Sequence, residues 1–444
     1  MPQTHKLRED ALAIFRAALA AANANHAVRR HLERTKAQLR AGRARFPLAG
    51  IKSIYLIAVG KAAAPMAEAV EHITAARFTR GLVVTKHGHA AGYAGRCEVI
   101  EAGHPIPDDD GLRAGRAVLD LLDDLAAKDL LIVAISGGAS ALLCAPVEGI
   151  TLAAKQQTTD LLLRAGADIH ELNCVRKHLS LLKGGNVAAH AYPATVLSLL
   201  LSDVVADPID VIGSGLTAPD PSTFVQALQV LERRGVLRQT PREVAEHLQK
   251  GARGETGETP KPDDRLFENV NNVVVGSSRL ALEAAAAEAK RRGYRPLILS
   301  SRIQGEARDA ARFHADILWE VITSGHPMQP PACILSGGET TVTVRGEGKG
   351  GRNQEFALAA ALALDGAPNV MLLSGGTDGT DGPTDAAGAM VSGETVERAA
   401  ARGLDPKEFL ARNDSYAFFE ALGDLVKTGP TGTNVMDVNV MLAG

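Results

Sequence analysis

The chain has 444 residues, 45% hydrophobic and 22% charged, with a mean hydropathy of zero, which describes a soluble globular fold and excludes collagen, long coiled coil and extended disorder. Its net charge of −3, from 48 basic against 51 acidic residues, comes without a basic tract, and only 4% of the residues are aromatic. Nucleic acid, anionic membrane and aromatic stacking platforms are therefore excluded as the main partners. The 44 glycines exceed the roughly 31 of an average chain of this length, and they are unevenly spread.

Length divided by about 150 gives two to three domains. The amino terminus carries Glu9 and Asp10 and lacks an uninterrupted apolar region, so it reads as an amphipathic helix rather than a signal peptide. After it, short apolar runs alternate with alanine-rich helical stretches, the pattern of βαβ units. Strands are expected at Ile54–Val59, Leu82–Thr85, Glu98–Glu101, Leu130–Ile135 and Thr195–Leu201. The apolar run Val196–Leu201 is far short of the roughly 20 residues of a membrane span. Residues from Gly251 to Asp264 are polar, rich in Gly and Pro and without periodicity, so they read as a linker. Strands resume at Asn272–Val275, Pro296–Ser300, Ala332–Leu335 and Val370–Leu373. At the end Met436, Val438, Val440 and Leu442 alternate with Asp437 and Asn439, as in a half-buried strand. The expected fold is α/β: two three-layer lobes with mostly parallel sheets and an interdomain cleft, divided as residues 1–250, a linker at 251–268, and residues 269–444.

Three apolar runs end in the same tripeptide: Ser136-Gly137-Gly138, Ser336-Gly337-Gly338 and Ser374-Gly375-Gly376. Each is followed by polar side chains, Ser140, Glu339 and Thr340, or Thr377 and Asp378. In a parallel sheet the carboxyl ends of the strands hold ligands, and glycine there lets backbone amides approach an anion. Lys183-Gly184-Gly185 shares this character. No GxxxxGK[ST] and no GxGxxG with its following acid occurs, so neither a Walker A nor a dinucleotide site is expected. Lys61 follows a strand and one glycine, and Arg352 follows a glycine run, both at helix starts where positive charge opposes the helix dipole. A bound anion accounts for cations so placed, and the arginine fork can grip a phosphate or carboxylate. Asp203 and Asp378 end strands near these loops and suit a Mg²⁺–phosphate site, whereas Asp207, Asp210 and Asp381 read equally as turn residues. His87 and His89, and the Gly-His-Pro at 103–105, lack a third ligand at metal spacing and read as loop histidines. Cys97, Cys144, Cys174 and Cys333 lie apart without a CxxC and read as reduced thiols of a cytoplasmic protein.

The blocks VGKAA at 59–63, EAGHPIPD at 101–108, ISGGASALL at 135–143, KHLSLLKGGNVA at 177–188, LSGGETTVTVRGEGKGGRNQEFALA at 335–359 and SGGTDGTDGPTDAAGA at 374–389 resemble the glycerate 2-kinase family, whose carboxyl-terminal half is the MOFRL domain. The resemblance covers nearly the whole chain. It implies ATP-dependent, Mg²⁺-assisted phosphorylation of D-glycerate to 2-phosphoglycerate, with Lys61 and Arg352 catalytic. The same two cations, with Ser374 and Gly375, are then expected to bind substrate, and Asp378 to take the hydroxyl proton. Ser136, Gly137, Gly138, Ser140, Lys183, Gly184, Gly185, Ser336, Gly337, Gly338 and Glu339 are expected at the nucleotide phosphates, and Asp203 at the metal. ATP and D-glycerate are the expected small-molecule partners, and a homodimer is compatible with this reading. The competing functions are a nicotinamide-dependent reductase of hydroxypyruvate or tartronate semialdehyde, opposed by the missing GxGxxG, and a non-catalytic sensor of a sugar-acid phosphate.

Overall fold

A computed structural model describes residues 3–444, which form two compact units. The first unit comprises residues 24–202 and 207–275; the second takes the chain up to Asn23, Asp203–Ala206 and Gly276–Gly444.

In the first unit, β1 (Leu32–Arg34), β2 (Gln38–Ala41) and β3 (Ala44–Pro47) form a small antiparallel sheet. The main sheet contains β4 (Ile54–Val59), β5 (Phe78–Lys86), β6 (Glu98–Ala102), β7 (Leu130–Ile135), β8 (Thr195–Leu201) and β9 (Val270–Gly276), in the order β6-β5-β4-β7-β8-β9. The pairs β5–β6, β4–β5, β4–β7 and β7–β8 run parallel. The central strands are continuous apolar runs because helices cover both faces of such a sheet, and every residue of β7 is buried. The carboxyl ends of the adjacent β4 and β7 carry Gly60-Lys61 and Ser136-Gly137-Gly138.

The second unit has a sheet of β10 (Arg295–Ile303), β11 (Ala332–Gly338), β12 (Val370–Gly376), β13 (Gly388–Ser392), β14 (Leu425–Val426) and β15 (Asp437–Ala443), in the order β10-β11-β15-β12-β13-β14. Here the expectation of a mostly parallel sheet needs correction: β10–β11 is parallel and every other pairing is antiparallel. The final strand inserts between β11 and β12, antiparallel to both. That central place buries both of its faces, so β15 is wholly rather than half buried.

The domain boundaries also move. The amino-terminal helix Gln3–Ala22 packs in the second unit, where Arg292 and Tyr294 hold the buried Asp10 carboxylate at 2.6 and 2.8 Å. Strand β9, expected to open the carboxyl-terminal domain, lies in the first unit's sheet. The expected linker 251–268 belongs to the first unit: the Pro260 carbonyl accepts from the Asp220 amide, and the Glu258 carboxylate accepts from the Phe224 amide. Its polar composition serves these bonds rather than flexibility. All four cysteines are buried and unpaired, and no described helix is long and apolar enough to cross a membrane.

Candidate active site

The turn after β4 is fixed from the neighbouring strand end. Gly60 has φ +123°, and a β-carbon there would stand 2.2 Å from Ser136 Oγ and 2.4 Å from the Ser136 carbonyl oxygen, so only glycine fits. The Lys61 amide donates to the Gly137 carbonyl at 2.9 Å, and the Ala62 amide donates to Ser136 Oγ at 3.0 Å. Ser136 thus positions the lysine turn instead of facing an anion. The Lys61 ammonium makes no hydrogen bond or ion pair among the described residues, although Lys61 is only partly exposed.

Gly138, in the left-handed region at φ +88°, packs between His104 and Lys61; a β-carbon there would be 2.9 Å from His104 Cδ2 and 3.5 Å from Lys61 Cγ. Partial burial, with the charges of Lys61, Lys86 and His89, pushes the His104 imidazole down to about 4, so it is neutral at pH 7. The sequence left His104 among the loop histidines; the sheet order β6-β5-β4-β7 gathers the chain after β6 with the ends of β4 and β7. Gly138, Ser140, His104 and Lys183 border a cavity of about 700 Å³ lying wholly within the first unit. Lys183 is buried, with Nζ donating to the Leu143 carbonyl at 3.0 Å. Gly184 and Gly185 stand apart from the anion role expected of them, because their amides already donate to the carbonyls of Ser214 and Gly215.

In the second unit the polar groups gather around Arg352, the first residue of the helix Arg352–Ala363. Its Nε and Nη2 donate to the two oxygens of buried Asp437 at 2.7 and 3.0 Å, and its Nη1 lies 3.0 Å from Glu339 Oε1. Partial desolvation raises the Glu339 carboxyl above its ordinary value; Arg352 opposes that shift, and Asp437, Asp203 and Asp378 add to it. Asp203 and Glu339 thus join one electrostatic cluster although 136 positions separate them in the sequence, because residues Asp203–Ala206 fold with the second unit. Asp378 is half buried and accepts from the Thr380 amide at 3.1 Å. Asp381 instead caps a distant helix: its oxygens accept from the Asn353 and Gln354 amides at the helix start, and burial pushes its carboxyl up to about 6. Asp437 was read only as the polar face of a terminal strand, yet it is the main partner of Arg352.

The other two Ser-Gly-Gly tripeptides are strand, not loop. Ser336 is fully buried, its hydroxyl 2.8 Å from His314 Nε2 and accepting from Asn439 Nδ2 at 3.1 Å. A β-carbon on Gly337 would be 2.4 Å from Ser278 Oγ, and one on Gly338 would be 2.1 Å from the Ile303 carbonyl oxygen. Ser374 donates to Asn353 Oδ1 at 2.8 Å, and Gly375 makes room for the Phe15 ring. These glycines admit close neighbours in a crowded sheet, a packing reason for glycine that needs no ligand.

A parallel α/β sheet ending in a glycine-fixed lysine turn beside a cation-lined cavity, with a second α/β unit presenting an arginine among carboxylates, defines an α/β enzyme built for anionic substrates. Residues 10–249 match a family described as a domain of unknown function, DUF4147, and residues 332–437 match the MOFRL family. A D-glycerate 2-kinase of Thermotoga maritima is 44% identical over 403 residues, covering 91% of this chain and 94% of that protein. A crystal structure of a Pyrococcus horikoshii protein matches with a TM-score of 0.90 and 40% identity, covering 98% of each chain. The crystal structure of a Thermotoga maritima glycerate kinase matches with a TM-score of 0.89 and 41% identity, covering 99% of this chain and 100% of that one. The chain belongs to the glycerate kinase family that carries the MOFRL domain, and it is a kinase.

Proposed function

We propose that the chain transfers the γ-phosphoryl group of ATP to the C2 hydroxyl of D-glycerate, giving 2-phosphoglycerate and ADP. The observation that supports this reading most is the cavity beside Lys61, bordered by a glycine turn and buried cations and large enough for a nucleotide. Phosphoryl transfer asks little covalent chemistry of a protein and much positioning and countercharge. Gly138, Ser140 and Lys183 would face the nucleotide phosphates. Lys61 and Arg352 would stabilise the charge that develops on the transferring group, and either cation suits the glycerate carboxylate. The Asp378 carboxylate would accept the C2 hydroxyl proton as the glycerate oxygen bonds to phosphorus and the bond to the ADP oxygen breaks.

Magnesium fits the residues present. Burial raises the Glu339 carboxyl above its ordinary value and the carboxylates of Asp437, Asp203 and Asp378 add to that rise, so a divalent cation among them would favour their charged forms. Asp203, with Asp378 or Glu339, would hold it, and it would supply neutralisation of phosphate charge. Incubation with Mg-ATP and racemic glycerate, followed by phosphorus NMR, tests the whole reading. The expected product is 2-phosphoglycerate from the D enantiomer; 3-phosphoglycerate would refute the C2 assignment, and ATP left unconsumed would refute the reaction.

A further inference from the structure

The cavity of the first unit contains more positive charge than its surroundings balance. Lys155, on the helix Leu152–Arg164, is 4% exposed and lines the cavity, and its Nζ has no hydrogen-bond partner. The Cys144 thiol beside it is only a weak acceptor. Arg176, on the helix Ile169–His178, and Lys183 line the same space. Among the described residues no carboxylate forms an ion pair with any of the three, and the only acid on the cavity wall, Asp160, pairs with Arg164 at 2.9 Å.

Burying cations without countercharge is costly, and the cost persists only where something else compensates it. Burial lowers the ammonium of Lys155, and burial together with Lys155 drives that of Lys183 well below its ordinary range, the response of charges kept apart from their counterion. Size then selects the anion. A cavity of about 700 Å³ lies within the roughly 300–1,000 Å³ of pockets that enclose drug-sized ligands, far more than a three-carbon acid fills. Gly138 borders this cavity and also meets the Lys61 side chain, so the cavity runs up to the Lys61 turn.

We propose that Lys155, Arg176 and Lys183 form a polyphosphate subsite, which assigns the nucleotide to the first unit and aims its terminal phosphate at Lys61. This rests on the kinase reading above and adds two residues, Lys155 and Arg176, that the sequence did not single out.

Calorimetric titration of the full chain with ATP, AMP, inorganic tripolyphosphate and D-glycerate tests it. The wild type is expected to bind ATP more tightly than AMP and to bind tripolyphosphate in competition with ATP. Each of K155M and R176Q should weaken ATP and tripolyphosphate by about tenfold or more, the loss of one charge-assisted bond, and leave AMP and D-glycerate unchanged. K155R should recover most of the loss, and K155M should melt no lower than wild type, because it removes an unpaired buried charge. If K155M does not fold, K155Q and R176Q are read in its place. Folded variants that bind ATP within twofold of wild type overturn the subsite. A wild-type chain that binds tripolyphosphate but not ATP keeps the subsite and overturns the kinase reading.

Discussion

The two units solve opposite electrostatic problems with similar sequence material. In the first, a strand end of a parallel sheet presents Lys61 at a turn, and Lys183 stands in the cavity wall between two helices, with no ion-paired acid on either among the described residues. In the second, a mostly antiparallel sheet presents carboxylates around Arg352. The shared Ser-Gly-Gly tripeptide shows why. After β7 the chain leaves the sheet, and the glycines shape a turn; in β11 and β12 the chain stays in the sheet, and the glycines let the Ser278 hydroxyl, the parallel strand β10 or the Phe15 ring approach. The motif therefore takes its role from whether the chain leaves the sheet or stays in it.

The largest expected effects separate the two cations by what each leaves behind. R352A should lower kcat/KM by about 10³-fold or more. It should also destabilise the second unit by on the order of 2 kcal/mol, because Asp437 stays buried without its partner. K61A should lower turnover by about 10²–10³-fold with an unchanged melting temperature, since no side-chain bond is lost. Steady-state kinetics and unfolding followed by Trp319, the only tryptophan and a residue of the second unit, check both. Near-normal turnover in both variants would remove these residues from the chemistry, and equal loss of stability would erase the contrast between units.

S136A is a smaller perturbation of the same turn. It removes the acceptor for the Ala62 amide and should cost about 1–3 kcal/mol, with kcat reduced about tenfold through a displaced Lys61. An unchanged kcat would mean that the turn holds its shape without the serine.

The pH response should differ between the units in sign. Asp381 in the second unit is raised from 3.8 to about 6, so the folded state binds its proton more tightly. As pH falls from about 6 to about 4 this group adds stability on the order of 3 kcal/mol, and raising pH through 6 removes it. In the first unit Glu171, bonded to Arg234 and Arg233, and Glu258, whose bonds to His178, Phe224 and Lys261 outweigh its burial, are both held at about 2. Their contribution is present above about pH 4.5 and disappears as pH falls toward 2. Trp319-detected denaturation of wild type and D381N across pH 4–7 isolates the first effect, and parallel curves for the two proteins would contradict it.

Local pattern determined much of this. The continuous apolar runs at Ile54–Val59 and Leu130–Ile135 announced buried parallel strands, whereas the need for glycine at position 60 shows only in the approach of Ser136. The charges of Lys61 and Arg352, expected at helix starts against the dipole, singled them out as candidates without any knowledge of their neighbours. Sequence spacing could not reveal what depends on pairing between distant segments. Asp437 reaches Arg352 only because the last strand enters the middle of a sheet, and Asp203 joins Glu339 only because four residues after β8 fold with the other unit. The countercharge of Lys155 is missing only by reference to residues far away in the chain. Hydrophobic period and backbone sterics are properties of neighbouring residues and can be read along the chain. Burial and electrostatic balance are sums over everything nearby in space, so only the tertiary structure decided them.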